Sequence, residues 1–460
     1  MSLEKVLVHI DADQDAALAR LIDLLKIESI STDPAYAGEC DKAADWLVDD
    51  LKSIGFDASK RPTPGHPMVM AHGDQTDGTH VLFYGHYDVQ PVDPLELWNA
   101  APFDAKIEDT PNGPVIRGRG SSDDKGQLMT FVEACRAWKT VTGSLPTKIS
   151  IFFEGEEESS SPSLVPYMNE NKDELQADVA LICDTGMVEP NTPSIVTMLR
   201  GMVKAEFTIT GPSKDLHSGM YGGPSINPLR VMSQALGALH DETGRVTLEG
   251  FYDGVPELPA NVAEQWNNLD FDGDKFLNEV GLSKPAGEDG RSVLEMLWSR
   301  PTAEINGMWG GYTGEGFKTV LPSEANAKVS FRLVGQQDPD QVEAAFKKHI
   351  ESHLPEDCTV TYHSTSGDSA SNMAIDHPAF EKARNALSNE WANEGVFVGC
   401  GGSIPIAGHF QDIVGLETML IGFAQDDDSI HSPNEKYDLR SFHKGIRSWA
   451  RILDALSQTE

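Results

Sequence analysis

The sequence predicts an α/β fold: a mixed sheet sandwiched by helices, with a smaller α+β domain inserted into the chain. Three observations predict it. Helix and strand patterns alternate through the first 185 residues, as they do in a sheet with covering helices. Near residue 200 the pattern changes to the period-two alternation of antiparallel strands. A helical pattern returns after Pro378, and residues capable of chemistry follow it.

The elements of the first domain follow from apolar spacing. Residues 18–25 and 43–54 each place their apolar side chains on one helical face, and Gly55 follows the second pattern, where a helix is expected to stop. Three short apolar runs, at residues 81–84, 149–153 and 179–183, have the length of strands. They lack polar alternation, which is typical of strands covered on both faces. Each run ends at residues able to bind a metal or move a proton.

The second domain is predicted from alternating strands around residues 203–209 and 327–333. Helical patterns at residues 226–239 and 339–353 and a strand pattern at 359–362 complete a ferredoxin-like arrangement. Residues 243–315 are rich in Gly, Pro and Asp, and their structure is not predicted. We therefore assign residues 1–198 and 368–460 to the first domain and residues 199–367 to the inserted one.

Composition narrows the classes of function. The chain has 460 residues, with 36 Lys and Arg against 72 Asp and Glu, a formal net charge of −36. Such a charge repels phosphate backbones and anionic lipid surfaces, so we expect no nucleic-acid or membrane partner. Five cysteines without a CxxC pair indicate neither a disulfide framework nor a thiolate zinc site. No apolar leader or long apolar span occurs, and we expect a cytoplasmic protein.

Two constellations in the first domain suggest a metal site. His86 and Asp88 follow the first buried strand, where ligands collect in open α/β sheets, and an acidic partner can orient a ligating imidazole. Asp123 stands between glycines just before a helical pattern, where a tight turn can hold its carboxylate rigidly. Each constellation alone has a simpler interpretation, a hydrogen-bonded surface turn for His86 and Asp88 and a helix cap for Asp123.

Three further segments add ligand-type residues. Glu157 and Glu158 follow the second buried strand, where one could ligate a metal while the other takes a proton from water. An acidic run is also typical of a solvated face, although its place after a buried strand argues against that. Asp184 follows the third strand, and His431 lies near the end of the chain. Carboxylates and imidazoles without thiolates favour a hydrolytic zinc, manganese or cobalt pair.

Together these motifs resemble a known family. The segments GHYDVQP, GRGSSDDKG, EGEEESSS, DLHSG and HSPNE, with the isolated Asp184, are similar in order and spacing to the dinuclear zinc exopeptidases that include carnosinase, aminoacylase and carboxypeptidase G. The resemblance extends over the chain from about residue 15. It looks closest to the carnosinase-type cytosolic dipeptidases, because KTVLP, FRLV and GGSIP also resemble their substrate-binding segments.

The resemblance implies a zinc-exopeptidase-like fold whose inserted domain acts as a lid and dimerisation domain. It also implies two divalent ions per subunit, zinc first and manganese or cobalt as alternatives, with Asp123 bridging them. One ion would be held by His86, Asp123 and Asp184, and the other by Asp123, Glu158 and His431. Glu157 would be the general base, with Asp88 behind His86. A cis peptide between Asp123 and Asp124 is also implied.

The same resemblance assigns residues to the substrate. His217 of DLHSG would donate to the oxyanion across a homodimer, Arg332 would pair with the substrate carboxylate, and Thr319 and Ser403 would donate hydrogen bonds. The extra acid Glu156 leaves the register of the acidic run ambiguous by one residue, and we take Glu157 and Glu158 as the functional pair.

The predicted function is hydrolysis of the peptide bond of dipeptides or similar small peptides. In this family an aspartate at the Asp184 position tends to accompany action on a free amino terminus, which favours a dipeptidase. The alternatives are an amidohydrolase that deacylates N-acyl amino acids and a catalytically dead metal-binding scaffold. The presence of Glu157 argues against the scaffold.

Overall fold

The structure is a computed structural model and describes residues 2–402 and 404–458. Contacts divide the chain into two compact units. The first contains the described residues of 1–197, 373–398 and 405–460, and the second contains those of 198–372 and 399–404. The predicted fold class, a mixed sheet with covering helices and an inserted α+β domain, is confirmed.

Two short segments group with the second unit, although the sequence analysis assigned them to the first domain. Ser371 and Asn372 pair with Leu199 and Met198 in an antiparallel ladder. Residues 399–404 belong there as well, and the Nε of Arg200 donates a hydrogen bond to the carbonyl of Gly401 at 3.0 Å. These contacts join residues about 170 to 200 positions apart, so local sequence patterns do not reveal them.

The first unit is built on a large mixed sheet. Strand Val81–His86 lies between strands Ile149–Glu154 and Val179–Ile182 and is parallel to both. Every residue of these three strands is buried, which confirms the sequence prediction. The other strands of the sheet are Asp57–Arg61, Met68–His72, Thr418–Leu420, Ser194–Leu199 and Val396–Cys400, the last paired with Ser194–Leu199. The short strand Ser371–Asn372 also belongs to this sheet, although its residues group with the second unit. A separate sheet contains Lys106–Thr110, Gly113–Arg117 and Lys436–Asp438.

Helices pack against the large sheet through an aromatic core. Phe83 of the central strand stacks on Phe131 at 3.8 Å between ring centroids, and Trp449 meets both rings edge-on. These contacts fix helices Lys125–Thr142 and Leu439–Ser457 against the sheet. The remaining helices are Ser2–Ala12, Gln14–Leu25, Ala37–Ile54, Leu164–Glu170, Pro378–Ser388 and Pro405–His409, with single turns at Pro34–Tyr36, Leu95–Leu97, Glu157–Ser159 and Phe410–Val414.

The second unit has a four-stranded antiparallel sheet in the order Thr302–Gly310, Glu324–Leu333, Gly201–Thr210, Thr359–Asp368. Its core lies on one face, where Phe207 and Phe331 pack against Phe346 of helix Pro339–Ser352. A two-stranded ribbon pairs Leu216–His217 with Val320–Leu321. The other helices are Ser218–Tyr221, Pro228–Gly237, Ala260–Asn267, Gly273–Glu279 and Val293–Trp298.

The segment that the sequence left without a predicted structure contains a buried ion pair. The guanidinium of Arg300 binds the carboxylate of Glu288 with a shortest distance of 2.8 Å, and both side chains are about nine-tenths or more buried. The guanidinium of Arg245 lies 3.9 Å from the ring centroid of Tyr252. Because charges replace a continuous apolar pattern here, hydrophobic periodicity does not predict the arrangement.

No helix in the part of the chain that the structure describes combines the length and apolar character that a membrane crossing requires.

Candidate metal centre

The site lies where the parallel strands of the first unit end. His86 is the last residue of its strand, Glu154 ends the neighbouring strand, and Asp184 follows two residues after the third. Parallel strands present their carboxyl ends at one edge, so these side chains are brought together by the topology of the sheet.

His86, Asp123 and Asp184 form the first group of possible ligands. Their ligand atoms all lie within 4.8 Å of one another. The Nε2 of His86 is 3.0 Å from Oδ1 of Asp123 and 4.0 Å from Oδ2 of Asp184. One cation at this point could therefore contact an imidazole and two carboxylates.

Asp123, Glu158 and His431 form the second group, again within 4.8 Å of one another. The Nε2 of His431 is 2.9 Å from Oδ2 of Asp123 and 3.2 Å from Oε2 of Glu158. Asp123 thus turns one carboxylate oxygen towards His86 and the other towards His431. This geometry suits a carboxylate shared between two cations.

The backbone around Asp123 is held by a buried carboxylate from the end of the chain. Glu435 accepts hydrogen bonds from the N–H groups of Gly120, Ser122 and Asp123 at 2.9–3.1 Å, and from the guanidinium of Arg119 at 2.8 Å. The peptide between Asp123 and the next residue is cis, as the family resemblance implied. The hydrogen bonds to Glu435 therefore hold the backbone of Asp123 in one position.

Asp88 is fully buried and contacts both His86 and the acidic run. The Nδ1 of His86 lies 3.1 Å from the carbonyl oxygen of Asp88 and 3.4 Å from its carboxylate. The carboxylate accepts hydrogen bonds from the N–H groups of Glu157 and Glu158 at 3.3 and 3.0 Å. With an acceptor at Nδ1, the imidazole presents Nε2 to the first ligand group.

The three consecutive acids of the run have different surroundings. Glu156 points away from the ligand groups, and its carboxylate accepts hydrogen bonds from the N–H groups of His66 and Ser163 at 2.8 and 2.9 Å. Glu158 joins the second group and also accepts a hydrogen bond from Gln90 at 2.7 Å. Glu157 lies between them in sequence, and its side chain belongs neither to the hydrogen bonds of Glu156 nor to the ligand group of Glu158. The choice of Glu157 and Glu158 as the functional pair therefore stays a prediction, which substitution of each acid can test.

The charges at the site repel one another. Burial raises the pKa of Glu157 to about 7; His86 opposes the shift, and the carboxylates of Glu158 and Asp123 add to it. Burial and the Asp123 carboxylate likewise hold the pKa of Asp184 well above its usual range. Hydrogen bonds to Asp123 and Glu158 raise the pKa of His431 to about 10. Such crowding calls for a compensating positive charge.

Two divalent cations fit this site. Every possible ligand in the two groups is an imidazole nitrogen or a carboxylate oxygen, the donor set of catalytic rather than structural zinc. Cations would offset the burial and the charge crowding that raise the pKa of Glu157 and Asp184. The buried partners Glu435 and Asp88 contact the backbone or side chains of the candidate ligands.

The other predicted residues belong to the second unit. His217 is exposed at the end of the two-stranded ribbon, and its Nδ1 accepts a hydrogen bond from the N–H of Gly219 at 2.9 Å. Thr319 is adjacent, because its carbonyl accepts a hydrogen bond from the N–H of Ser218 at 3.1 Å. Arg332 lies on the sheet face opposite the core. Ser403 lies outside the described residues.

Four residues of this region lie inside the sequence motifs but had no predicted role. Glu435 and Gln90 support Asp123 and Glu158, and Asp124 accepts a hydrogen bond from the N–H of His86 at 3.1 Å. Glu154 accepts a hydrogen bond from the hydroxyl of Tyr84, and burial raises its pKa to about 8. All four stand inside the recognised motifs, but spacing alone does not separate a ligand from its supporting partner.

The fold and this cluster define the class as metal-dependent hydrolases. The model for "Peptidase family M20/M25/M40" matches residues 82–455, and the chain belongs to this family. It is therefore a metal-dependent peptidase, and the resemblance seen in its motifs is confirmed.

Three relatives illustrate the relationship. The "Cys-Gly metallodipeptidase dug1" of Schizosaccharomyces pombe is 28% identical, with 99% of each chain covered. The "Beta-Ala-His dipeptidase" of Homo sapiens is 28% identical over 99% of this chain and 93% of the human one. A crystal structure of "a M20 family metallo-carboxypeptidase Sso-CP2" from Sulfolobus solfataricus has a TM-score of 0.78 and 30% identity, covering 96% of this chain and 99% of that one.

Proposed function

We propose that the protein hydrolyses the peptide bond of dipeptides in a metal-dependent reaction. Relatives that carry dipeptidase names align with it over nearly their whole length. The observation that carries the proposal is the position of Asp123, which lies between two groups of imidazole and carboxylate ligands with Glu157 beside them. This is the arrangement that two-metal hydrolysis requires.

In this proposal His86, Asp123 and Asp184 hold one cation, and Asp123, Glu158 and His431 hold the other. Zinc is the first choice because the ligands are imidazole and carboxylate, with manganese or cobalt as alternatives. When bound there, two cations would supply Lewis-acid polarisation of the scissile carbonyl and a more acidic attacking water. Asp88 keeps the imidazole of His86 in the orientation that offers its Nε2.

Glu157 is the proposed general base. Its carboxylate takes a proton from the attacking water and later delivers it to the nitrogen of the leaving amine. A pKa raised towards neutrality suits both steps, because the group must accept and release the proton in one turnover. Glu156 and Glu158 are already engaged by other partners, which leaves Glu157 for this role.

The second unit supplies the proposed substrate contacts. His217 is the proposed donor to the oxyanion, Arg332 the partner of the substrate carboxylate, and Thr319 and Ser403 further hydrogen-bond donors. The exposure of the His217 and Thr319 side chains in this chain supports a role towards another molecule.

We also propose a homodimer formed through the second units. Several large apolar side chains in this unit are exposed, among them Met220, Trp309, Tyr312 and Phe317. Phe317 is 92% exposed, an unusual position for a phenylalanine unless another surface covers it. Among the described residues, the outer edges of the two terminal strands of this sheet, Thr302–Gly310 and Thr359–Asp368, pair with no further strand, and a symmetric partner could cover them.

A cytoplasmic location remains part of the proposal. All five cysteines are unpaired, and four of them are buried. Free thiols in these numbers fit a reducing compartment.

The test is an assay of protein reconstituted with zinc or with manganese against a dipeptide library and N-acetyl amino acids. We expect at least one dipeptide to be cleaved faster than every N-acetyl amino acid. Faster cleavage of an N-acetyl amino acid would favour the amidohydrolase, and no cleavage with both ions bound would favour the scaffold.

A further inference from the structure

A cavity of about 490 Å³ with several charged side chains in its lining lies on the exposed face of the four-stranded sheet of the second unit. The side chains that matter for its chemistry are three cations, one acid and two hydroxyl groups. They come from three neighbouring strands and are Lys204, Glu206, Lys328, Ser330, Arg332 and Ser364.

The positive charge of this cavity is only partly neutralised. Lys328 pairs with Glu206 at 3.4 Å. Within the described residues, Lys204 and Arg332 form no ion pair. Glu304 and Asp368 occupy neighbouring positions of the same face but do not line the cavity.

Strand register fixes the spacing of the two unpaired cations. Lys204 lies opposite Ser330, and Arg332 lies opposite Met202 on the same pair of strands. Lys204 and Arg332 are therefore diagonal neighbours on one face, with Cα atoms about 7–8 Å apart. Two flexible cationic side chains at this spacing can each bind a different carboxylate of one ligand, and Ser330 lies between them as a donor.

The surroundings of Arg332 also indicate an unneutralised charge. Burial and then the nearby guanidinium of Arg332 lower the pKa of Arg200 to about 10. In a chain with a net charge of −36, Lys204 and Arg332 stand out as neighbouring cations that form no ion pair within the described residues. An anionic ligand would relieve their mutual repulsion.

We propose that Lys204 makes the enzyme selective for dipeptides whose C-terminal residue is aspartate or glutamate. Arg332 binds the α-carboxylate, Lys204 binds the side-chain carboxylate, and Ser330 and Ser364 donate hydrogen bonds. The inference rests on the proposed function in one respect, the assignment of Arg332 to the substrate carboxylate. The acidic specificity itself comes from Lys204.

The kinetic test compares Ala-Glu with the near-isosteric Ala-Gln on the zinc-loaded protein. We expect kcat/KM to favour Ala-Glu by about tenfold or more, the scale of one charge-assisted hydrogen bond. Lys204→Met should lower kcat/KM for Ala-Glu to about the value for Ala-Gln, and Lys204→Arg should retain the preference. Lys328→Met is the matched control, because that lysine lines the same cavity but is paired, and it should keep the preference.

A binding measurement tests the role of Lys204 separately from the proposed dipeptidase activity. Calorimetry on the zinc-loaded protein should show glutamate binding about tenfold tighter than glutamine, and Lys204→Met should remove the difference. If no dipeptide is cleaved, the proposed function fails, while this measurement still decides the role of Lys204. The inference would be overturned if the unmodified protein bound glutamate and glutamine with equal affinity. It would also be overturned if Lys204→Met kept the preference for glutamate.

Discussion

The buried carboxylate of Glu435 accepts a hydrogen bond from the backbone N–H of Asp123 at 3.1 Å, across 312 positions of sequence. The same carboxylate binds the N–H groups of Ser122 and Gly120 and the guanidinium of Arg119. The candidate bridging residue is thus oriented by the segment that also carries His431, four positions before Glu435. Glu435 thus links the backbone around Asp123 to the segment that carries His431.

The first prediction concerns this coupling. We expect Glu435→Gln to weaken metal binding by about 10- to 100-fold, because partners that orient a ligand typically contribute that much to affinity. Equilibrium titration with zinc against a competing chelator would measure the loss. Glu417→Gln, which lies outside both ligand groups, is the control and should bind zinc as the unmodified protein does. Unchanged affinity in Glu435→Gln would mean that Asp123 is held without it.

The second prediction separates the three consecutive acids. We expect Glu157→Gln to keep two metal ions per chain and lose nearly all turnover, because the change removes a base and no ligand. Glu158→Gln should instead lower the metal content, because Glu158 belongs to a ligand group. Metal analysis alongside dipeptide hydrolysis distinguishes the two.

Glu156→Gln tests the register. Its carboxylate holds the N–H groups of His66 and Ser163, so we expect lower stability but retained turnover in the folded fraction. An inactive, well-folded Glu156→Gln together with an active Glu157→Gln would show that the register is wrong by one residue.

The motifs in the sequence were sufficient to propose both ligand groups, and the structure brings the members of each group together. The buried strands could also be predicted from the sequence, because runs such as 149–153 are apolar apart from Ser150. The supporting residues could not be predicted in this way. The contact of Glu435 with Asp123 exists only in the folded chain, and the Glu288–Arg300 pair lies in a segment without hydrophobic periodicity. Long-range polar contacts have no local signature, whereas apolar runs and motifs do.

The third prediction concerns the homodimer. We expect His217→Ala to lower turnover by about a hundredfold or more, as the loss of one oxyanion donor does, with the metal content unchanged. If His217 acts in the partner's site, mixing His217→Ala with Glu157→Ala should restore activity, because one site of each hybrid has both residues intact. Subunit exchange would be followed by native mass spectrometry. Proven exchange without recovered activity, or a fully active monomer, would contradict the proposal.

The fourth prediction concerns the pH dependence of stability. Glu390 follows helix Pro378–Ser388 and binds Arg447 and Arg451 of helix Leu439–Ser457, each at 2.8 Å. Although burial alone would raise the pKa of Glu390, the hydrogen bonds from these two arginines lower it below its usual value. The unfolded chain therefore holds this proton more tightly than the folded protein does.

The sign of the effect follows from that difference. The stabilisation by Glu390 is present in full above its unfolded pKa, about 4.3, and is lost as the pH falls through the lower folded value. We expect Glu390→Gln to reduce the free energy of unfolding by roughly 1.5–3 kcal/mol at pH 7, the scale of a charged hydrogen bond. Denaturant unfolding at pH 7, 5 and 4 should show this deficit shrinking only at the lowest pH. Glu394→Gln, whose side chain is 87% exposed, should have little effect at any pH. A deficit of equal size at pH 4 and pH 7 would show that the lost stability comes from packing, because packing does not titrate.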